Sequence, residues 1–362
     1  MRVKPNQLIK DCILASDVSG LTDFPIMKKN TVITENHIKL LNIFLINSVE
    51  VEPILANGEN FKPQTVIEEP VEERATMERD SKDFFFQYLE AVKQYKKLFQ
   101  GWQAGERVQM VGIRNLFIPL FEKITQEPDN LLKLHHYSTK EDYLYHHAVY
   151  VSILSVYLGY KLNYKRADWL QIGFSGLLAD IGMAKIAPSI LKKTGPLTSI
   201  DFEEIKKHPI YSYNMLKGVT GVTDSVLLAV LQHHERQDGS GYPLAANERK
   251  LHQFSKVIAV ADVYHAMTSE RYYRTKRSPF QVIEEIVKEQ FGMYDLKVVQ
   301  ALVKSLVVVA TGSKVRLSNG SEAEIVFFEQ EMPTRPMVKL AGGDIVQLTK
   351  EPSLFIEDII KS

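Results

Sequence analysis

The stretch His233-His234-Glu235-Arg236-Gln237-Asp238-Gly239-Ser240-Gly241-Tyr242-Pro243 closes a helix begun at Thr223 and runs into a turn punctuated by two glycines and a proline. Adjacent helical residues project ~100° apart, so two neighbouring histidines are informative only in company. Company is present on both sides. Toward the N-terminus, His208 closes a helix over 202–208, immediately before Pro209. Asp180 ends an earlier helix, on a face with Trp169, Ile172, Gly173 and Gly176. His147 lies on a helix starting near Glu141, on the face with Leu144, Val151 and Leu154. Toward the C-terminus, Asp262 interrupts the apolar run Val257-Ile258-Ala259-Val260-Ala261-Asp262-Val263. An ionised carboxylate in such a run is costly unless it is paired or binds a metal.

Taken singly, each residue has a bland reading. A helical His is usually core or surface, Asp180 could cap a helix, and Asp262 could pair with a buried Arg. Jointly, four His and two Asp make a borderline-hard donor set, suited to Fe, Mn or Zn rather than to Ca or Mg.

The surrounding pattern is mainly α. Between about 106 and 308 nearly every segment reads as helix, with capping boxes at Thr139/Asp142 and Thr198/Asp201 and an N-cap at Ser278-Pro279. We expect a small α+β module over 1–58, in which Thr34 caps a helix carrying Ile38, Leu41 and Leu45, and Val49 to Val51 form a strand. An acidic, Pro-bearing linker follows over 59–75, then connecting helices over 76–125, the first broken at Gly101 and Gly105. The helical domain proper spans 126–308. Beyond it, 309–362 reads as a small β module with a hairpin across Asn319-Gly320 and further strands at Met337 to Leu340 and Ile345 to Leu348.

Lys and Arg total 44, as do Asp and Glu, so no net charge draws the chain toward a nucleic-acid polymer or an anionic membrane. The single cysteine, Cys12, rules out an internal disulfide. The opening residues lack a signal-peptide layout, and no apolar run approaches 20 residues. The expectation is a cytoplasmic protein.

The quoted stretch resembles the HD-GYP signature, usually HHERWDGSGYP. The resemblance covers about 141 to 305 and includes Leu197-Thr198, Lys207-His208-Pro209, Ala261-Asp262-Val263-Tyr264, Thr268-Ser269-Glu270-Arg271 and Tyr273-Arg274. It implies an all-helical HD-type domain that hydrolyses cyclic di-GMP with bound transition metal. One or two ions per chain are implied, Fe or Mn ahead of Zn. Asp180 would be the catalytic, bridging residue. His208, His233 and His234 would complete one site, and His147 and Asp262 the other. Arg271 and Arg274 match ligand-binding positions, since guanidinium forks suit phosphates. Gly241, Tyr242 and Pro243 form the loop by which the family is thought to contact diguanylate cyclase (GGDEF) proteins.

The match has gaps. Gly176-Leu177-Leu178-Ala179-Asp180-Ile181-Gly182-Met183 stands where the family reads L-L-H-D-I-G-K, so the dyad His is Ala179 and the Lys is Met183. Tyr143 replaces the Glu of trinuclear members, which removes a third metal from the expectation. His265 stands where Asp is common; it lies on the Asp262 face, with solvent or a partner other than the metal expected. Such losses leave three readings: a divergent, slow phosphodiesterase, a catalytically impaired nucleotide receptor, or a signalling scaffold.

Overall fold

The computed structural model describes residues 1–19, 25–43, 46, 48–64, 84–134, 137–270, 277–288, 292–306, 311–329 and 332–360. Leu45, most of the 59–75 linker, Arg271 and Arg274 lie outside them. The chain is mainly α, with a small β-containing module at each end of a helical domain.

In the N-terminal module, strand β1 (Arg2–Val3) pairs antiparallel with β4 (Val49–Glu50), and β2 (Val18–Ser19) with β3 (Pro25–Met27). Helix α1 (Glu35–Ile43) starts at Thr34, whose hydroxyl accepts from the His37 amide. Val3, Leu8, Cys12, Leu14, Ile33, Leu41 and Val51 form its own core. Ile13, Ile54 and Ala56 instead join the main core, seating the module on the helices.

Helix α2 (Phe84–Gln103) runs straight through Gly101, contrary to expectation, and α3 is Met110–Gln126. Phe84, Tyr88, Tyr95, Phe99 and Trp102 bury enough aromatic surface to carry α2 past one poor helix former. Helix α4 (Tyr143–Lys161) is buried continuously from His146 to Gly159, which explains its nearly all-apolar sequence. It begins later than the Thr139 signal: Thr139 Oγ1 accepts from the Asp142 amide, and Asp142, paired with Lys96 at 2.8 Å, is the N-cap. Helices α5 (Arg166–Leu178), α9 (Gln253–Thr268), α2 and α3 pack around α4.

Three short helices supply further site residues. These are α6 (Ser199–Ile205), with the expected Thr198/Asp201 capping box, α7 (His208–Leu216) and α8 (Asp224–Gln232), capped by Thr223. Helices α10 (Pro279–Lys288) and α11 (Leu296–Leu306) close the domain, with Ser278 Oγ accepting from the Phe280 amide at the start of α10.

The C-terminal module is a five-stranded antiparallel sheet in the order β8-β7-β6-β5-β9. Strands β5 (Lys314–Leu317) and β6 (Glu322–Phe327) make the expected hairpin, and β7 (Met337–Leu340) and β8 (Ile345–Gln347) follow. Strand β9 (Ile356–Ile360) was not anticipated. Arg335 ties the module to α10 by bonding both Glu284 oxygens, at 3.0 and 2.8 Å.

Candidate metal centre

Five short chain segments converge at one end of the α4 bundle. Asp180 follows α5 and begins the single-turn segment Ile181–Lys185. His208 opens α7 rather than closing the helix before it. The break ahead of His208 puts Pro209 in the first turn of α7, where no amide donor is needed. His233 caps the C-terminus of α8 and His234 follows it, while His147 and Asp262 project from the long helices α4 and α9.

Asp180 stands between two groups. Its Oδ1 lies 3.1 Å from His208 Nε2 and 3.8 Å from His233 Nε2, whereas its Oδ2 lies 3.4 Å from His147 Nε2. His147 Nε2 is also 2.9 Å from Asp262 Oδ1, and His234 Nδ1 is 3.5 Å from Asp262 Oδ2. Asp180, His208, His233 and His234 offer donor atoms that all lie within 4.8 Å of one another, and so do His147, Asp180 and Asp262. Each of these side chains is buried except that of His234, which is partly exposed.

In the first group, two imidazole nitrogens and a carboxylate converge. His208 Nδ1 is 2.7 Å from the Ile205 carbonyl oxygen and His233 Nδ1 is 2.6 Å from that of Val230. A carbonyl only accepts, so each Nδ1 carries a proton and, in a neutral ring, each Nε2 presents a lone pair. Those two nitrogens face each other at 3.1 Å, beside the Asp180 carboxylate. Lone pairs in that arrangement repel unless a proton or a metal cation sits among them. The donor set fits a transition metal.

Titration follows the same logic. Burial opposes ionisation of Asp180, but the His208, His233 and His147 rings around it outweigh burial and hold the carboxyl well below its ordinary range. Burial likewise acts on Asp262 and is overcome by His234 and His147, so it too stays ionised. For His234, burial and then repulsion by His233 push the ring well below its usual value.

Glycines let these segments close up. A Cβ on Gly241 would meet Glu235 Cα at 2.4 Å and the His234 carbonyl oxygen at 2.5 Å, so only glycine lets the loop fold back on the His pair. Glu235, quoted above without a role, anchors that loop by accepting from the Leu244 and Ala246 amides at 2.6 and 2.9 Å. The loop sets Tyr242 beside His234, ring centroids 4.8 Å apart.

Of the two expected surroundings for His265, solvent or another partner, the structure shows the second. His265 is fully buried, not solvent-facing, and its Nδ1 lies 2.9 Å from His147 Nδ1. Tyr143 occupies the same side, its hydroxyl 2.9 Å from His147 Nδ1. His146, which sequence reasoning passed over, links α4 to the N-terminal module. Its Nε2–H donates to the Ala56 carbonyl at 3.2 Å, and its Nδ1 accepts from Tyr88 at 3.0 Å. Burial lowers its pKa to about 4.

Residues 128–298 match the HD domain family. The chain is 29% identical to a cyclic di-GMP phosphodiesterase of Pseudomonas aeruginosa over 71% of its own length and 62% of the relative's. A cyclic di-GMP phosphodiesterase of Borreliella burgdorferi is 28% identical over 58% of this chain and 55% of that one. The cyclic di-GMP phosphodiesterase of Thermotoga maritima is 35% identical over 37% of each. Residues 128–298 thus match an HD domain, and these relatives support the HD-GYP resemblance. It spans less than two thirds of the length of these relatives.

Within the HD domain, Ala179 and Met183 stand beside the Asp180 carboxylate in sequence and present no donor nitrogen to it. Ala179 is buried and Met183 half-buried against the core. Among the described residues no helix is long and apolar enough to cross a membrane.

Proposed function

We propose that this chain is a metal-dependent phosphodiesterase acting on cyclic di-GMP, with Asp180 shared between two metal sites. The observation that carries the reading is the division of the Asp180 carboxylate, one oxygen toward His208 and His233 and the other toward His147. Asp180, His208, His233 and His234 would hold one ion; His147, Asp180 and Asp262 would hold another. Three protein donors suffice for a catalytic metal that keeps an open position. Fe or Mn suits the mixed imidazole and carboxylate donors best, with Zn also compatible.

Bound there, such ions supply Lewis acidity toward a phosphoryl oxygen and lower the pKa of water. The chain supplies the rest. Depressed carboxyl pKa values keep Asp180 and Asp262 ionised at neutral pH, and the carbonyls of Ile205 and Val230 hold His208 and His233 in the donor tautomer. Tyr242, at the rim against His234, offers a ring face for stacking a guanine base. Arg271 and Arg274 fit phosphate binding by residue type. Cyclic di-GMP stands in the names of the three relatives given above, which supports it as the substrate.

The test is hydrolysis of cyclic di-GMP to a linear dinucleotide. Activity should vanish with a chelator and return on adding Mn or Fe. Turnover that is indifferent to verified metal removal would reject the proposal.

A further inference from the structure

Lys206 caps the C-terminus of α6, two residues ahead of His208, and its ammonium is held at the rim of the metal centre by aromatic rings. Its Nζ lies 4.9 Å from the centre of the Phe202 ring and 5.9 Å from that of Tyr242. Both distances are within reach of a cation–π attraction. Tyr242 in turn packs on His234 and stands edge-on to His208, centroids 4.8 and 6.5 Å apart. One ring therefore separates the Lys206 charge from two histidines of the first metal group.

The next residue supplies a contrast. Lys206 and Lys207 each pair with a glutamate one helical turn back, Glu203 and Glu204. The Lys206 side chain is 32% exposed, whereas that of Lys207 is 53% exposed. Adjacent helical residues project ~100° apart, so Lys207 carries the same charge in a different direction. Glu203 does not commit Lys206 to itself. The carboxylate side chain is 68% exposed, and an exposed i,i+3 pair contributes little to stability. An incoming anion can take its place.

A cyclic dinucleotide carries two phosphodiesters, each with one negative charge. A centre built on Asp180 engages the one that is cleaved, and the other must be received elsewhere. Met183 offers it no charge. Lys206 is a cation that the fold itself sets against Tyr242, at the mouth of the centre.

We propose that Lys206 is a specificity residue, whose ammonium binds the uncleaved phosphate of a cyclic dinucleotide while the other phosphate lies at the metal centre. The inference rests on the phosphodiesterase reading above and names a further part of its substrate site. A contact remote from the reacting phosphorus is made equally in the ground and transition states, so it acts on KM and spares kcat.

The experiment is steady-state hydrolysis of cyclic di-GMP by the full chain loaded with Mn2+, with a melting curve for each variant. Lys206→Gln should raise KM ~10-fold, the lower end of what a hydrogen bond to a charged group contributes, and leave kcat close to wild type. Lys206→Arg should restore KM, because a guanidinium also binds phosphate. Lys207→Gln, the matched loss of charge, should change neither constant. An unchanged KM in folded Lys206→Gln, an equal rise in Lys207→Gln, or a fall confined to kcat would overturn the proposal. Wild type that does not turn over cyclic di-GMP would reject the phosphodiesterase reading instead. Calorimetric titration of the Mn2+-loaded protein with cyclic di-GMP then decides the role of Lys206: Lys206→Gln should weaken binding by the same factor, and binding that is absent or indifferent to the substitution would overturn it.

Discussion

Gly182 lies so close to His208 that a Cβ added to it would come within 2.1 Å of the His208 carbonyl oxygen and 2.6 Å of the Ser212 amide nitrogen. The Gly182 amide donates to Ser212 Oγ at 2.8 Å, and that hydroxyl donates to the Ala179 carbonyl at 2.6 Å. The start of α7 is thus bolted to the segment that carries Asp180. Backbone cannot swing aside as a side chain can, so Gly182→Ala should part His208 from Asp180. We expect a loss of ~1–3 kcal/mol in stability, typical of overpacking, together with weaker metal binding. Melting and metal titration of the variant check this; wild-type values for both would show that the contact does not set the site.

Metal should stabilise the fold, because the His208 and His233 lone pairs face each other in the native state only. Ligand at 100 times its dissociation constant contributes about 2.7 kcal/mol, enough to move Tm by several degrees in a domain of this size. Chelation should lower Tm accordingly, and His208→Ala should remove most of the metal-dependent shift. An identical melting curve after verified metal removal contradicts a structural metal site.

The substitutions at 179 and 183 make a separate prediction. Restoring a donor nitrogen with Ala179→His and a cation with Met183→Lys should raise cyclic di-GMP turnover tenfold or more. Loss of one transition-state donor costs ~10²–10³ in rate elsewhere, which sets the ceiling. Ala179 is buried, so a melting curve must accompany the assay. An unchanged rate in folded protein would show that neither position limits the chemistry.

Much of the site could be read from the chain because its residues sit in short local motifs. Asp262 betrayed itself as a charge in an apolar run, and the His233-His234 pair lies a few residues from a loop in which Gly241 is forced by close backbone approach. Helix boundaries were less legible. Pro209 is equally compatible with following one helix or opening the next, and tertiary contacts with Gly182 decide between them. His265 shows the deeper limit: helical spacing places it on the Asp262 face, but which neighbour it meets depends on how α9 packs against α4. Tyr143 and His146 were opaque for the same reason. The aromatic payload of α2, which overrides Gly101, is visible in the sequence but not its burial.

Cys12 offers a check on the N-terminal module. It is fully buried, and burial pushes its thiol up to about 11. The neutral thiol is favoured in the folded state, so this contribution to stability is complete below the unfolded value of 9.0 and is lost as pH rises through about 11. At pH 8 a thiol reagent should modify Cys12 only as fast as the module opens, and denaturant should accelerate it steeply. Rapid labelling of native protein would contradict the packing.

The claim on which the rest depends is that one carboxylate, Asp180, serves two metal ions. Anomalous diffraction from crystals grown with Mn2+ measures this directly. The expected result is one peak bounded by Asp180 Oδ1, His208, His233 and His234, and a second, weaker peak bounded by Asp180 Oδ2, His147 and Asp262. No peak beside Asp180, in crystals where Mn2+ was present throughout, would contradict it.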